Sequence, residues 1–189
     1  MNFNWTPKIG DPTVGGWLTV ALYFVTVFIC WRTAVLTAQA RGGRPGERRI
    51  WWCITLLFIA LGINKELDLQ SALTELGRMV AVSQGWYANR QLVQTTFILA
   101  IGCIGVFALF VLLIWARKAA FPTWVALMGV TLVVGFVLMR AASFHHMDRF
   151  IGTRVLGLRW NWIVEMGGIA VVLLASLWRR RQLKMGPPT

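Results

Sequence analysis

Long apolar runs broken by short polar segments organise this chain. The runs lie at about 16–38, 50–64, 92–116, 122–143 and 160–178, and four of them approach or exceed the roughly 20 residues that an α-helix needs to cross a bilayer. They predict an all-α integral membrane protein, a five-transmembrane-helix bundle in which residues 1–189 form a single transmembrane domain.

The second run is the anomaly. From Trp51 to Ile63 it offers thirteen apolar-run residues. That is about 20 Å of helix, against a hydrocarbon core about 30 Å thick. Asn64-Lys65-Glu66-Leu67-Asp68-Leu69-Gln70 then brings an amide, an ammonium and two carboxylates where the membrane should still be apolar. Ionisable groups at such depth usually face a bundle interior or a wet cavity, because lipid cannot solvate them.

The connections carry their own patterns. Gln39 to Arg49, with Pro45 among glycines and four arginines, reads as a loop. The connection at Arg117-Lys118 is very short, and Pro122 stands at the start of the next helix, where its missing N–H costs nothing. Over 69–83, Leu69, Ala72, Leu73, Leu76, Met79 and Val80 follow helical spacing, with Gln70, Glu75 and Arg78 towards the other face. This predicts an amphipathic outer-surface helix between spans 2 and 3, ended by Gln84-Gly85. Phe144 to Arg159 mixes apolar residues with three arginines and is a candidate for a second interfacial helix.

Composition supports the membrane reading: 57% of residues are hydrophobic and 14% charged, with a mean hydropathy of +0.63, too apolar for a soluble surface. Asn2 to Pro12 lacks the basic start, short apolar core and cleavage site of a signal peptide, so the first span is expected to be retained. The net charge of +12 points to topology rather than nucleic acid, because much of it flanks the apolar runs. With five spans, one face gathers eleven Lys/Arg against one acid and the other eight against six. The positive-inside rule then sets the N-terminus periplasmic and the C-terminus cytoplasmic in a bacterial inner (plasma) membrane. Of the 11 tryptophans, Trp17, Trp31, Trp51, Trp52, Trp115, Trp124, Trp160 and Trp178 fall near proposed span ends, as interfacial anchors would. Cys30, Cys53 and Cys103 all lie in apolar runs and form no CxxC pair, which reads as small core residues with free thiols.

Most remaining polar groups at membrane depth can be brought to the outer end of the bundle. Asn161 and Glu165, four apart, share one helix face, and Arg140 is similarly inset. Candidate binding residues are Asn64, Lys65, Gln70, Arg140 and Asn161, and candidate catalytic carboxylates are Glu66, Asp68 and Glu165. Structural alternatives stand beside these. Glu165 with Arg140 or Lys65 makes a structural ion pair, Asp68 caps the surface helix, and Asn161 bonds between helices. His145, His146 and Asp148 are candidate metal ligands, although no HxxxH, HExxH or CxxC spacing accompanies them. A bis-histidine haem is disfavoured, since adjacent histidines cannot approach opposite faces of one iron.

Two resemblances bear on these residues. The alkaline ceramidase-like membrane hydrolases combine three histidines, an aspartate and a serine around zinc. Ser143, Asp148 and Asp68 are similar, but only two histidines are present and they are adjacent, so that chemistry does not carry over. From the second span onwards, the chain more closely resembles an uncharacterised family of bacterial multi-spanning inner-membrane proteins. The carriers are Asn64-Lys65-x-Leu67-Asp68-Leu69-Gln70, Gln84-Gly85-Trp86-Tyr87, Phe144-His145-His146 with Asp148, and Asn161-Trp162 with Glu165. This resemblance implies no activity.

The expected function is that of an accessory or binding protein with a polar pocket at the periplasmic end, its partners the lipid bilayer, other membrane subunits or an anionic headgroup held by Arg149, Arg154 and Arg159. The alternative is a metal-dependent hydrolase or transferase acting on a lipid or periplasmic substrate, with Glu66 or Asp68 as base. A transporter fits less well, because no repeat supplies inverted halves.

Overall fold

The computed structural model describes residues 13–40, 44–67, 79–80, 82–83, 85, 90–142, 154–155 and 158–185. Five helices make up nearly all of it: α1 (Val14–Gln39), α2 (Pro45–Leu67), α3 (Arg90–Ala116), α4 (Phe121–Ala142) and α5 (Trp160–Met185). Three of them, α1, α2 and Phe121–Leu138 of α4, are long and apolar enough to cross a membrane. The protein is therefore a helical bundle built for a membrane.

Helix α1 shows how its sequence selects a face. Thr13 caps it, accepting from Gly16 N at 3.2 Å. Most of its buried positions are small or hydroxylic, including Gly16, Thr19, Thr26, Cys30, Thr33, Ala34 and Thr37, whereas Trp17, Leu18, Phe24, Val25 and Phe28 are exposed. Lipid solvates large apolar groups as well as a protein core does, so close helix approach falls to small side chains. Each buried threonine hydroxyl donates to a carbonyl four residues back, at 2.7–2.8 Å, and needs no water.

Helix α1 packs along α2 on one side and α5 on the other, and α5 also packs against α4. The α4–α5 contact is close because two glycines meet there. A Cβ on Gly129 would lie 2.8 Å from Val172 Cγ2 and 3.0 Å from the Gly168 carbonyl oxygen, and one on Gly168 would lie 2.7 Å from Val133 Cγ2. Helix α3 stands further out. It meets the start of α2 where Gly46 lies against the Trp115 carbonyl, while Leu99, Ile104, Val106, Phe107 and Phe110 are exposed.

The boundaries of α2 correct the sequence reading. The helix begins at Pro45, so Gly46 to Arg49, expected to lie in a loop from Gln39 to Arg49, are helical, and Gln39 closes α1. Proline suits the first helical position, where no N–H is needed. At the other end, Asn64 to Leu67 form its last turn. Its 23 residues span about 34 Å at 1.5 Å each. The span is therefore not undersized, and the polar residues belong to it.

Three further differences follow. Trp51 is fully buried in the core rather than anchored at an interface, packed with Ile50, Ile54 and Phe58. The end of the expected second interfacial helix is extended instead: β1 (Arg154–Val155) pairs antiparallel with β2 (Leu158–Arg159), placing Val155 opposite Leu158. Of the amphipathic helix expected over 69–83, Met79, Val80, Val82 and Ser83 are described and helical, and Gly85 follows with φ 74°, a conformation that favours glycine. The rest of that segment lies outside the described residues.

Candidate functional site

Two polar clusters sit inside the bundle, one at each end of α2. The first joins three helices. Lys65 Nζ, from the last turn of α2, donates to Glu165 Oε2 at 2.8 Å, and Tyr23 Oη, from the first half of α1, donates to Glu165 Oε1 at 3.3 Å. Glu165 is 2% exposed and Lys65 9%. Tyr23 is held for this by its ring, which packs edge-on against Phe58 with centroids 5.6 Å apart. Gly62 lets α2 approach, since a Cβ there would touch Tyr23 Cβ at 3.4 Å.

Chemically, this is a neutralised carboxylate. One oxygen takes a charge-assisted bond and the other a phenolic one, so the anion is stabilised without bulk water. Asn64 and Glu66 flank Lys65 and are half-buried. Successive helical residues project about 100° apart, so neither shares the Lys65 direction. Glu66 does not join the Lys65–Glu165 pair.

The second cluster was not foreseen. Glu47, 1% exposed, accepts from Arg179 Nε at 2.7 Å and Nη2 at 2.8 Å in a fork, and from Thr123 Oγ1 at 2.5 Å. Arg179 Nη1 also reaches Gln182 Oε1 at 3.3 Å. These bonds tie the start of α2 to the start of α4 and the last third of α5. Nearby, Arg49 lies over the Trp115 ring at 5.7 Å, and Phe121 meets Trp178 at 5.8 Å.

Helices α2 and α5 are thus joined at both ends by ion pairs. Each carries a glutamate nearer its N-terminus and a cation nearer its C-terminus, and because the helices run antiparallel, each glutamate meets the other's cation. Neither Glu47 nor Arg179 stands among the candidate residues that the sequence offers. The available hint was that Glu47 is the lone acid in the three basic segments of that face. Tyr23 and Thr123 gave no hint, since both sit in ordinary apolar runs.

The other candidates divide by location. Arg140 and Asn161 belong to α4 and α5, but their side chains lie outside the described residues. Asp68, Gln70, His145, His146 and Asp148 lie outside them entirely. Among the described residues, no group of three His, Cys, Asp or Glu could hold a metal ion. No family model, curated protein or solved structure matches this chain.

Proposed function

We propose that this chain is a five-span accessory or binding protein of a bacterial inner membrane, with its N-terminus periplasmic and its C-terminus cytoplasmic. In this reading α3 and α5 span as well, and 69–83 lies as an amphipathic helix on the outer surface. A polar pocket at the periplasmic end then has Asn64, Gln70, Arg140 and Asn161 around the Lys65–Glu165 junction.

The observation that carries this reading is the state of Glu165. Its two oxygens are engaged by Lys65 and Tyr23. A carboxylate held this way positions the end of α2 and is poorly placed to abstract a proton, which favours binding over catalysis. The apolar, outlying α3 supports an accessory role, because it offers a neighbouring membrane protein a helix with little intramolecular cover.

The test is purification of the tagged full-length protein in mild detergent. A stoichiometric partner or retained small molecule is expected by mass spectrometry, lost in a folded Lys65→Met/Glu165→Gln variant. A strictly lone protein without ligand would count against this function, and stoichiometric zinc, iron or manganese by elemental analysis would favour the hydrolase or transferase instead. Reporter fusions after Gln39, Leu67 and Met185 test the orientation, with the first and third expected in the cytoplasm.

A further inference from the structure

We infer that the helix ends gathered around Glu47 form a binding surface for anionic phospholipid headgroups. This surface lies at the opposite end of α2 from Lys65 and does not depend on that junction.

The contacts define which ends gather. Gly46 lies against the Trp115 carbonyl, Arg49 over the Trp115 ring, Thr123 and Arg179 on Glu47, and Phe121 against Trp178. These bring the starts of α2 and α4 to the ends of α3 and α5. Glu47 is the lone acid in these basic segments. It is buried with both oxygens bound, so its charge is matched to Arg179 and screens nothing else. Arg48, Arg49, Arg117, Lys118, Arg181 and Lys184 remain exposed with no acid of their own segments to balance them. Arg180 Nε is buried and has no acceptor among the described residues. An uncompensated basic surface and a donor without an acceptor both call for an external anion.

The surroundings select which anion. Phe121, Trp178, Leu113 and Ile114 are exposed beside these cations. Such an apolar and indole collar is what the acyl chains and headgroup boundary of a bilayer cover. Lipid phosphates stand just beyond that boundary, at the height of the arginines. A water-borne polyanion would leave the collar uncovered.

The experiment uses full-length protein in nanodiscs of mixed phosphatidylcholine and phosphatidylglycerol, with co-retained lipid read by native mass spectrometry. Retained lipid should be enriched in phosphatidylglycerol over the bulk mixture, and the enrichment should fall as salt is raised. Arg48→Gln/Arg49→Gln/Arg180→Gln should weaken retention by about fivefold per cation removed, whereas Arg90→Gln, at the other end of α3, should leave it unchanged. Retention by the native protein that mirrors the bulk mixture, or that ignores salt, overturns the proposal. So does an equal loss from the Arg90 variant. Tight binding of single-stranded RNA in pure phosphatidylcholine discs, without phosphatidylglycerol enrichment, overturns it in favour of a nucleic-acid surface. If the triple variant does not fold, the native enrichment and its salt dependence still decide.

Discussion

Arg179→Met would strip the Glu47 carboxylate of two charge-assisted hydrogen bonds, from Nε at 2.7 Å and from Nη2 at 2.8 Å. Of the contacts described, the Thr123 hydroxyl alone would remain. Hydrogen bonds to charged groups contribute about 1.5–3 kcal/mol each. Breaking a buried pair by removing one partner costs about 3–5 kcal/mol, because the other charge stays buried. The Arg179 side chain is 11% exposed, so some water reaches the pair, and we expect a loss near the bottom of that range, about 3 kcal/mol. Glu47→Gln/Arg179→Met removes both charges and should cost less than about 1.5 kcal/mol, since no uncompensated ion is left. Together with Glu47→Gln alone, which leaves the Arg179 charge without its counter-ion, these variants close a double-mutant cycle with a coupling of more than about 2 kcal/mol. The measurement is reversible unfolding in mixed micelles, followed by far-ultraviolet circular dichroism. A single variant that loses under about 1 kcal/mol, or a double variant as unstable as the single, would refute the claim that the fork holds α2 to α5.

The same assay tests the rest of the bundle. Lys65→Met should cost about 3–5 kcal/mol, recovered in large part by adding Glu165→Gln, and Tyr23→Phe about 1 kcal/mol; if the phenylalanine variant costs as much as Lys65→Met, the phenol is more than an auxiliary donor. Glu47 and Lys65 lie about 27 Å apart along α2, so the Lys65→Met and Arg179→Met losses should add within about 0.5 kcal/mol. Gly129→Ala should lose about 1–3 kcal/mol through its clash with Val172 and Gly168. Gly105→Ala, where nothing lies within 4 Å, should instead gain up to about 1 kcal/mol of helix propensity; equal losses at both glycines would exclude close α4–α5 packing as the cause.

Helices α1 and α4 are legible in the sequence to within a few residues, because each holds one long apolar run and Pro122 marks a start. Helix α2 is not. Hydropathy judges each residue by its cost in lipid alone, and by that measure Glu47 and Lys65 end the helix. Both stay inside it because α5 supplies their counter-charges, a fact about tertiary pairing that no local window contains. The inset of Glu165 is readable from its distance below Trp160, which leaves Arg140 and Lys65 as its available counter-ions in the sequence. Tyr23 was invisible, since a tyrosine in an apolar run carries no mark of what its hydroxyl meets. Trp51 misled for a related reason: position near a polar segment suggested an interface, but the helix extends past it and Trp51 lies in the buried core.

The ion pairs of α2 have a consequence for how the chain is made. Lys65 and Glu165 are 100 residues apart, and Glu47 and Arg179 are 132 apart. A ribosome therefore delivers α2 to the membrane long before either counter-ion exists. An unpaired ionised side chain at the centre of an inserting helix costs about 2.5–3.5 kcal/mol on insertion scales, and less near its ends. Until α5 is made, Glu47 and Lys65 lack the counter-charges they have in the folded bundle. The order of charges also checks how α5 packs against α2. Threaded the opposite way, it would set Glu165 against Glu47 and Arg179 against Lys65, and both ends would repel.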